Sequence, residues 1–227
     1  MVRHTLQTRG HIHSIVRNDG NLYLGNLIHY FRAVFFNAPN VNHPYHNFRH
    51  MCHVLYLCHD ACIFYGDKLT PREMRNLLIA ALFHDFDHSG ATGDDSLNIA
   101  RACDGLLWHL APEDMEEFQN IVEIIRGTEF PYKVTSEMLT LSGQIIRDAD
   151  LSQNFSVAWI QQVVFGLAEE WGKNPIEVLK MQEGFMNNVL HYITEWGQQR
   201  FPTSDIEGKI AEARALVEIL TAEPVVQ

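Results

Sequence analysis

A run of seven apolar residues, Leu77-Leu-Ile-Ala-Ala-Leu-Phe83, passes without a break into His84-Asp85-Phe86-Asp87-His88-Ser89-Gly90. A helix that is apolar around its whole circumference must be surrounded by other elements. The polar side chains that follow it, His84, Asp85, Asp87, His88 and Ser89, are therefore delivered to one defined place. Whatever else the chain does, it must build a shell around that helix.

The remaining pattern says the shell is helical. Leu22, Leu24, Leu27, Ile28, Phe31, Val34 and Phe35 recur at helical spacing, and no stretch sustains the two-residue alternation of a half-buried strand. Thr70-Pro-Arg-Glu73 and Asn174-Pro-Ile-Glu177 carry capping-box residues with proline at the first helical position, and Ser204-x-x-Glu207 offers a third box. Gly66, Gly127 and Gly172 each follow an amphipathic stretch as stop signals. These signals predict helices near 20–37, 46–65, 71–88, 93–109, 113–127, 135–148, 153–171, 175–199 and 204–221. No linker and no repeat interrupts them, so one all-α domain, a helical bundle over residues 1–227, is expected.

Charge and cysteine usage exclude several classes. Seventeen basic against 28 acidic residues give a net charge of −11, and no Lys/Arg run reverses it locally. That balance speaks against a dedicated nucleic-acid module. A small anionic substrate remains compatible if a cation supplies positive charge at one point. The apolar run at 77–83 is too short for a bilayer, which needs roughly 20 residues, and Met1-Val-Arg-His-Thr-Leu-Gln7 has no apolar signal region. Cys52, Cys58, Cys62 and Cys103 lack CxxC spacing. A reduced, cytoplasmic setting without membrane attachment is expected.

Thirteen histidines are the compositional oddity, and histidine is the commonest metal ligand. His46 and His50, in Tyr45-His46-Asn47-Phe48-Arg49-His50, are four apart and share a helix face. His84-Asp85 ends the apolar helix, and Arg147-Asp148-Ala149-Asp150 ends another apolar stretch in carboxylates. His50, His84, Asp85 and Asp150 thus bring two imidazoles and two carboxylates from three helices. Asp148 competes with Asp150 and is assigned instead to an exposed or capping role. Such a nitrogen–oxygen set suits Zn²⁺, Fe or Mn²⁺, with Mg²⁺ favoured at an oxygen-rich second position. His53, one turn beyond His50, stands evenly between supporting the site and plain packing. His4, His11, His13, His29, His43, His59, His109 and His191 read as structural.

An upstream His, a His-Asp pair and a downstream Asp resemble the HD superfamily of metal-dependent phosphohydrolases. Tyr-His-Asn-x-x-His at 45–50, Ala-Leu-x-His-Asp-x-Asp-His-x-Gly at 81–90, Ala-Asp-Leu-Ser at 149–152 and Met-Gln-Glu-Gly-Phe at 181–185 resemble, in order, the class I cyclic nucleotide phosphodiesterase catalytic domain. The resemblance covers about residues 41–200. It implies an HD-type bundle that hydrolyses a 3′,5′-cyclic nucleotide to its 5′-monophosphate by attack of a metal-bridging hydroxide. A nucleotidase or phosphomonoesterase of the same superfamily, and a non-catalytic nucleotide-binding module, are the alternatives. His50, His84, Asp85 and Asp150 would hold the tighter ion, Zn²⁺ or else Fe or Mn²⁺. Asp85 would bridge to a second, Mg²⁺ or Mn²⁺. His46 would be the general acid, and His88 would line the second ion's water shell and the phosphate. Gln182 would read the base, with Phe185 stacking on one face and Val163 on the other, while Tyr45 and Asn47 would support the site.

Two departures stand out. The family's Glu-x-His-His element is absent, and Gln153 occupies the position of the Asn that follows Asp-Leu-Ser. No carboxylate that would orient His46 is identifiable from the sequence.

Overall fold

The computed structural model describes residues 11–93 and 95–222. Eleven α-helices and several short 3-10 or π segments are the regular elements of the described residues, with no strand among them. The helices are α1 (Ile12–Arg17), α2 (Ile28–Asn37), α3 (Phe48–Phe64), α4 (Pro71–Phe83), α5 (Ser96–His109), α6 (Phe118–Arg126), α7 (Leu141–Asp150), α8 (Gly166–Glu170), α9 (Pro175–Asn188), α10 (Glu195–Arg200) and α11 (Thr203–Thr221). No described helix is long and apolar enough to cross a membrane.

The apolar run is α4, and it is buried from Met74 to Phe83. Its start is fixed by the expected capping box: the Thr70 hydroxyl accepts from the Glu73 N–H at 3.2 Å, and the Glu73 carboxylate accepts from the Thr70 N–H at 2.8 Å. Helices α2, α3, α5, α6 and α7 all pack on α4, and α3 also packs on α7. This places the start of α3, the end of α4 and the end of α7 together. A second apolar cluster, centred on Trp159, Val164, Leu167, Val178 and Leu179, joins α8, α9 and the π segment Ile160–Phe165.

Several expected boundaries move, each for a tertiary reason. The stretch expected as 20–37 becomes helical only at Ile28. Asn21 and Gly25 take left-handed φ of 49° and 70°, and the Arg75 guanidinium donates to the carbonyls of Leu24 and Asn26 at 2.9 and 2.7 Å. The short helix α1 lies outside the expected set; its six residues bury Ile15 and Val16. The helix expected as 71–88 ends at Phe83 in a turn where Asp87 has φ 62°. The stretch 153–171 divides into 3-10, π and α pieces, and 175–199 divides into α9 and α10. The third capping box does not form, because α11 begins at Thr203 behind Pro202 with no side-chain cap. Of the three stop glycines only Gly172 is left-handed, at φ 61°.

Candidate metal centre

Three helix ends converge. Asn47 caps α3: its carbonyl oxygen accepts from the His50 N–H at 3.1 Å, and its amide donates to the carbonyls of His43 and Pro44 at 2.8 and 3.2 Å. Both ends of that side chain therefore shape the entry to α3, which faces His50 inward. His84 follows the last residue of α4, and Asp150 is the last residue of α7.

The four side chains meet through their tips. His50 Nε2 lies 3.3 Å from His84 Nε2, and Asp85 Oδ2 lies 3.3 Å from each. Asp150 Oδ1 is 3.0 Å from His50 Nε2 and 3.6 Å from His84 Nε2. The far nitrogens are engaged elsewhere: His84 Nδ1 faces the Ala81 carbonyl at 3.0 Å and His50 Nδ1 faces Gln153 Oε1 at 3.4 Å. A neutral ring held in this way has its proton on Nδ1 and its Nε2 lone pair toward two carboxylates, and only a proton or a cation at Nε2 relieves that opposition. Buried Asp85 Oδ2 has no hydrogen-bond donor. Lone pairs facing lone pairs in a buried site repel unless a cation lies between them. Atoms bound about 2.0–2.1 Å from one ion sit about 2.9 Å apart on an octahedral edge and about 3.4 Å apart on a tetrahedral one. The spacing of His50, His84 and Asp85 fits a divalent transition ion, and Asp150 lies beside the two imidazoles.

Electrostatics agree. Burial works against the charged forms, yet Asp85 and Asp150 drive the His84 imidazole well above its ordinary value. Against the same burial penalty, His84 holds Asp85 well below the carboxylate range, and His50 with His84 does so for Asp150. The site asks for positive charge. Side-chain exposure rises from His84 (0%) and His50 (3%) through Asp85 (11%) to Asp150 (27%), so the cluster opens on the Asp150 side.

The carboxylate the sequence left unidentified is Glu170, the last residue of α8. Glu170 Oε1 pairs with His46 Nδ1, and Oε2 accepts from the backbone N–H groups of Tyr45 and His46 at 2.9 and 3.1 Å. Burial alone would raise this carboxyl, but the hydrogen bonds from His46 and the two N–H groups hold it at about 2. Gly90, at φ 74°, makes room for it: a Cβ there would sit 2.7 Å from Glu170 Cγ. His88 stacks on His46 with ring centroids 3.6 Å apart. His88 Nδ1 accepts from the Gly90 N–H at 3.0 Å, and its Nε2 lies 3.3 Å from Asp95 Oδ1.

Of the other expected residues, Tyr45 and Asn47 lie beside this centre. The Tyr45 ring packs 4.7 Å from that of His46 and 5.1 Å from that of His50. A narrow cleft beside the centre is lined by Pro44, Tyr45, Asn47, Arg49, His50, Gln153 and Gln162. Gln182 is buried on α9 with Oε1 unpartnered, Phe185 is half-buried against the main core, and Val163 is buried in the second cluster. His53 is half-buried with its Nε2 buried and unpartnered, and desolvation, with His50 nearby, lowers it to about 4. His4 lies outside the described residues. Asp148 caps rather than ligates, and it is buried rather than exposed: its carboxylate accepts from the N–H groups of Ile193 and Thr194 and from the Thr194 hydroxyl at 3.0, 2.8 and 2.7 Å.

Residues 45–157 match the sequence model of the 3′5′-cyclic nucleotide phosphodiesterases. The fold is similar to that of LmjPDEB1, solved in complex with IBMX, with a TM-score of 0.63 and 15% identity over 91% of this chain and 85% of that one. It is also similar to the phosphodiesterase domain of the RhoPDE fusion protein from the choanoflagellate Salpingoeca rosetta, with a TM-score of 0.59 and 18% identity over 92% of this chain and 88% of that one. No curated protein sequence matches the chain.

Proposed function

Because the chain belongs to the 3′,5′-cyclic nucleotide phosphodiesterase family of phosphohydrolases, we propose that its metal centre hydrolyses a 3′,5′-cyclic nucleotide to the 5′-monophosphate. The observation that carries this reading is the junction of two arrangements: three ligand-spaced donors, His50, His84 and Asp85, with Asp150 against the two imidazoles, and a carboxylate-held imidazole at His46 beside them.

His50, His84, Asp85 and Asp150 would hold one divalent ion, Zn²⁺ or else Fe or Mn²⁺, and Asp85 would extend to a second, Mg²⁺ or Mn²⁺. When bound, such ions neutralise phosphate oxygens and supply an acidified water as nucleophile. Gln153 and the Ala81 carbonyl orient the two imidazoles. The departing 3′ oxygen needs a proton, which His46 Nε2 donates, since Nδ1 is engaged by Glu170. The same carboxylate stabilises the ring while it is cationic, and general acid catalysis of this kind contributes typically 10²–10⁴-fold. His88, stacked against His46, supports that ring's plane and would line the second ion's water shell and the phosphate. Gln182 and Phe185 are the residues proposed to meet the base, with Val163 opposite; a purine edge matches the donor and acceptor of an amide.

The test is a panel of cyclic and non-cyclic nucleotides with Mn²⁺ or Mg²⁺, run on wild type and two variants. Asp85→Ala should lose bound metal and all turnover. His46→Ala should keep the metal and lose 10²–10⁴-fold in kcat on cyclic nucleotides, but far less on nitrophenyl esters, whose leaving group needs no proton. Equal losses on both substrates would remove the acid role from His46, and turnover by Asp85→Ala would remove the ligand assignment.

A further inference from the structure

Asn40 precedes the Tyr45–His50 motif and belongs to no motif in the sequence. Its side chain is fully buried, with both amide hydrogens and the amide oxygen engaged. The amide nitrogen donates to the His46 carbonyl at 2.8 Å and to the Asp85 carbonyl at 2.7 Å. The amide oxygen accepts from the Asp87 N–H at 2.8 Å. One carboxamide therefore joins two loops that are about 40 residues apart in sequence.

We infer that Asn40 is a positioning residue that sets His46 and Asp85 in fixed relation to one another. The inference rests on the proposed reading, in which His46 delivers the proton and Asp85 holds the ions. Both carbonyls sit on a single nitrogen, whose two N–H directions are set by the planar amide. The backbone of His46 cannot drift from that of Asp85 without breaking one of these bonds. The third bond secures the turn itself. Asp87 takes a left-handed φ of 62°, uncommon for a residue with a Cβ, and its N–H is held by Asn40. The Asp85 carbonyl also accepts from the His88 N–H at 3.1 Å, so the same amide reaches the ring that stacks on His46. Glu170 holds His46 from the side of α8, and Asn40 holds it from the side of the Asp85 turn. Small misplacement of a reacting group costs rate out of proportion to its size, which gives such a brace catalytic weight.

The experiment compares Asn40→Asp and Asn40→Ala with wild type in the full chain, loaded with Mn²⁺. Asp keeps the size and the acceptor for Asp87 but loses both donors; Ala loses all three bonds. Backbone amide exchange is measured first, by mass spectrometry, and needs no turnover. Faster exchange confined to segments 43–48 and 84–88 in both variants is expected. Metal stoichiometry in Asn40→Asp should stay at the wild-type value. In kinetics, Asn40→Asp should lower kcat on a cyclic nucleotide at least tenfold, with KM within about twofold, and lower the nitrophenyl-ester rate severalfold less. Unchanged or global exchange, a change in KM alone, or equal losses on both substrates would overturn the inference. Failure of both variants to fold would also overturn it, leaving Asn40 a plain structural residue. If wild type hydrolyses no phosphodiester, the proposed reading fails while the exchange result still decides whether Asn40 couples the two loops.

Discussion

Glu170 shows why a site can be half visible in a sequence. His46, His50, His84, Asp85 and Asp150 announce themselves because each stands in a short motif beside apolar residues that must be buried. Glu170 has one acidic neighbour, Glu169, and its partners Tyr45 and His46 lie 125 and 124 residues away. Only α8 docking through Leu167 and Ala168 turns its carboxylate inward. Asn40 was hidden for a similar reason: its bonds to Asp85 and Asp87 are long-range, and amides are common everywhere. The glycine opposite was legible as part of the motif, but not as the space for a carboxylate. Glu170→Gln keeps the shape and removes the charge that stabilises a cationic His46. Partners of this kind are typically worth 10–100-fold. We expect kcat on a cyclic nucleotide to fall by about that factor, with metal content unchanged and the nitrophenyl-ester rate nearly preserved. A loss of metal instead would show that Glu170 serves the ions, not the acid.

At the scale of elements, helices with local start signals were legible and helices broken from outside were not. Thr70 and Asn174 form the boxes their sequences spell. The interruption between α9 and α10 has another origin, since Asp148 of α7 captures the N–H groups of Ile193 and Thr194 and leaves the Thr194 hydroxyl as acceptor for Gly197. Asp114, in the 3-10 turn Pro112–Glu117, plays a comparable part on the other side of α4. The acidic run around it was legible as a helix start, but its partners were not. The carboxylate of Asp114 is fully buried and accepts from Arg75 Nε and NH2 at 2.9 and 2.7 Å, from Arg72 at 2.5 Å and from the Tyr30 hydroxyl at 2.6 Å. Burial would raise this carboxyl, and the hydrogen bonds from Arg75 and Tyr30 overcome it and hold the group below its usual value. The folded state therefore binds its proton less readily than the unfolded chain. Its contribution is complete above about pH 4, the unfolded value, and is lost as pH falls through the folded one. Asp114→Ala leaves Arg75 buried without its counter-charge and should cost about 3–5 kcal/mol in urea unfolding at pH 7. The difference from wild type should shrink as pH drops below about 4. A difference that stays constant with pH would mean that packing, not charge, is what Asp114 supplies.

Across the whole molecule, the candidate metal centre is the point where the start of α3 meets the ends of α4 and α7. Ends of α3, α4 and α7 meet there because α4 is apolar on every side and must be enclosed by its neighbours. That enclosure gathers two imidazoles and two carboxylates whose lone pairs oppose one another. Without a cation, the fold must tolerate this repulsion or take up protons to relieve it. A bound ion removes the conflict in the folded state, and the unfolded chain, with its ligands scattered over 101 positions from His50 to Asp150, has no comparable site. Binding to the folded state alone stabilises it by about 2.7 kcal/mol at a hundredfold excess over Kd. For a chain of this size each kcal/mol moves the thermal midpoint by about 2–4 °C. Chelation should therefore lower the midpoint by roughly 5–11 °C, and excess Zn²⁺ or Mn²⁺ should restore it. Asp85→Ala should melt at one temperature with or without chelator, because the ligand proposed to serve both ions is gone. In the proposed reading His46→Ala should keep the full metal-dependent shift, since there its ring serves the proton and not the ion. A wild-type midpoint indifferent to chelator would mean that the four side chains are content without a cation, and the ligand assignment would fall with it.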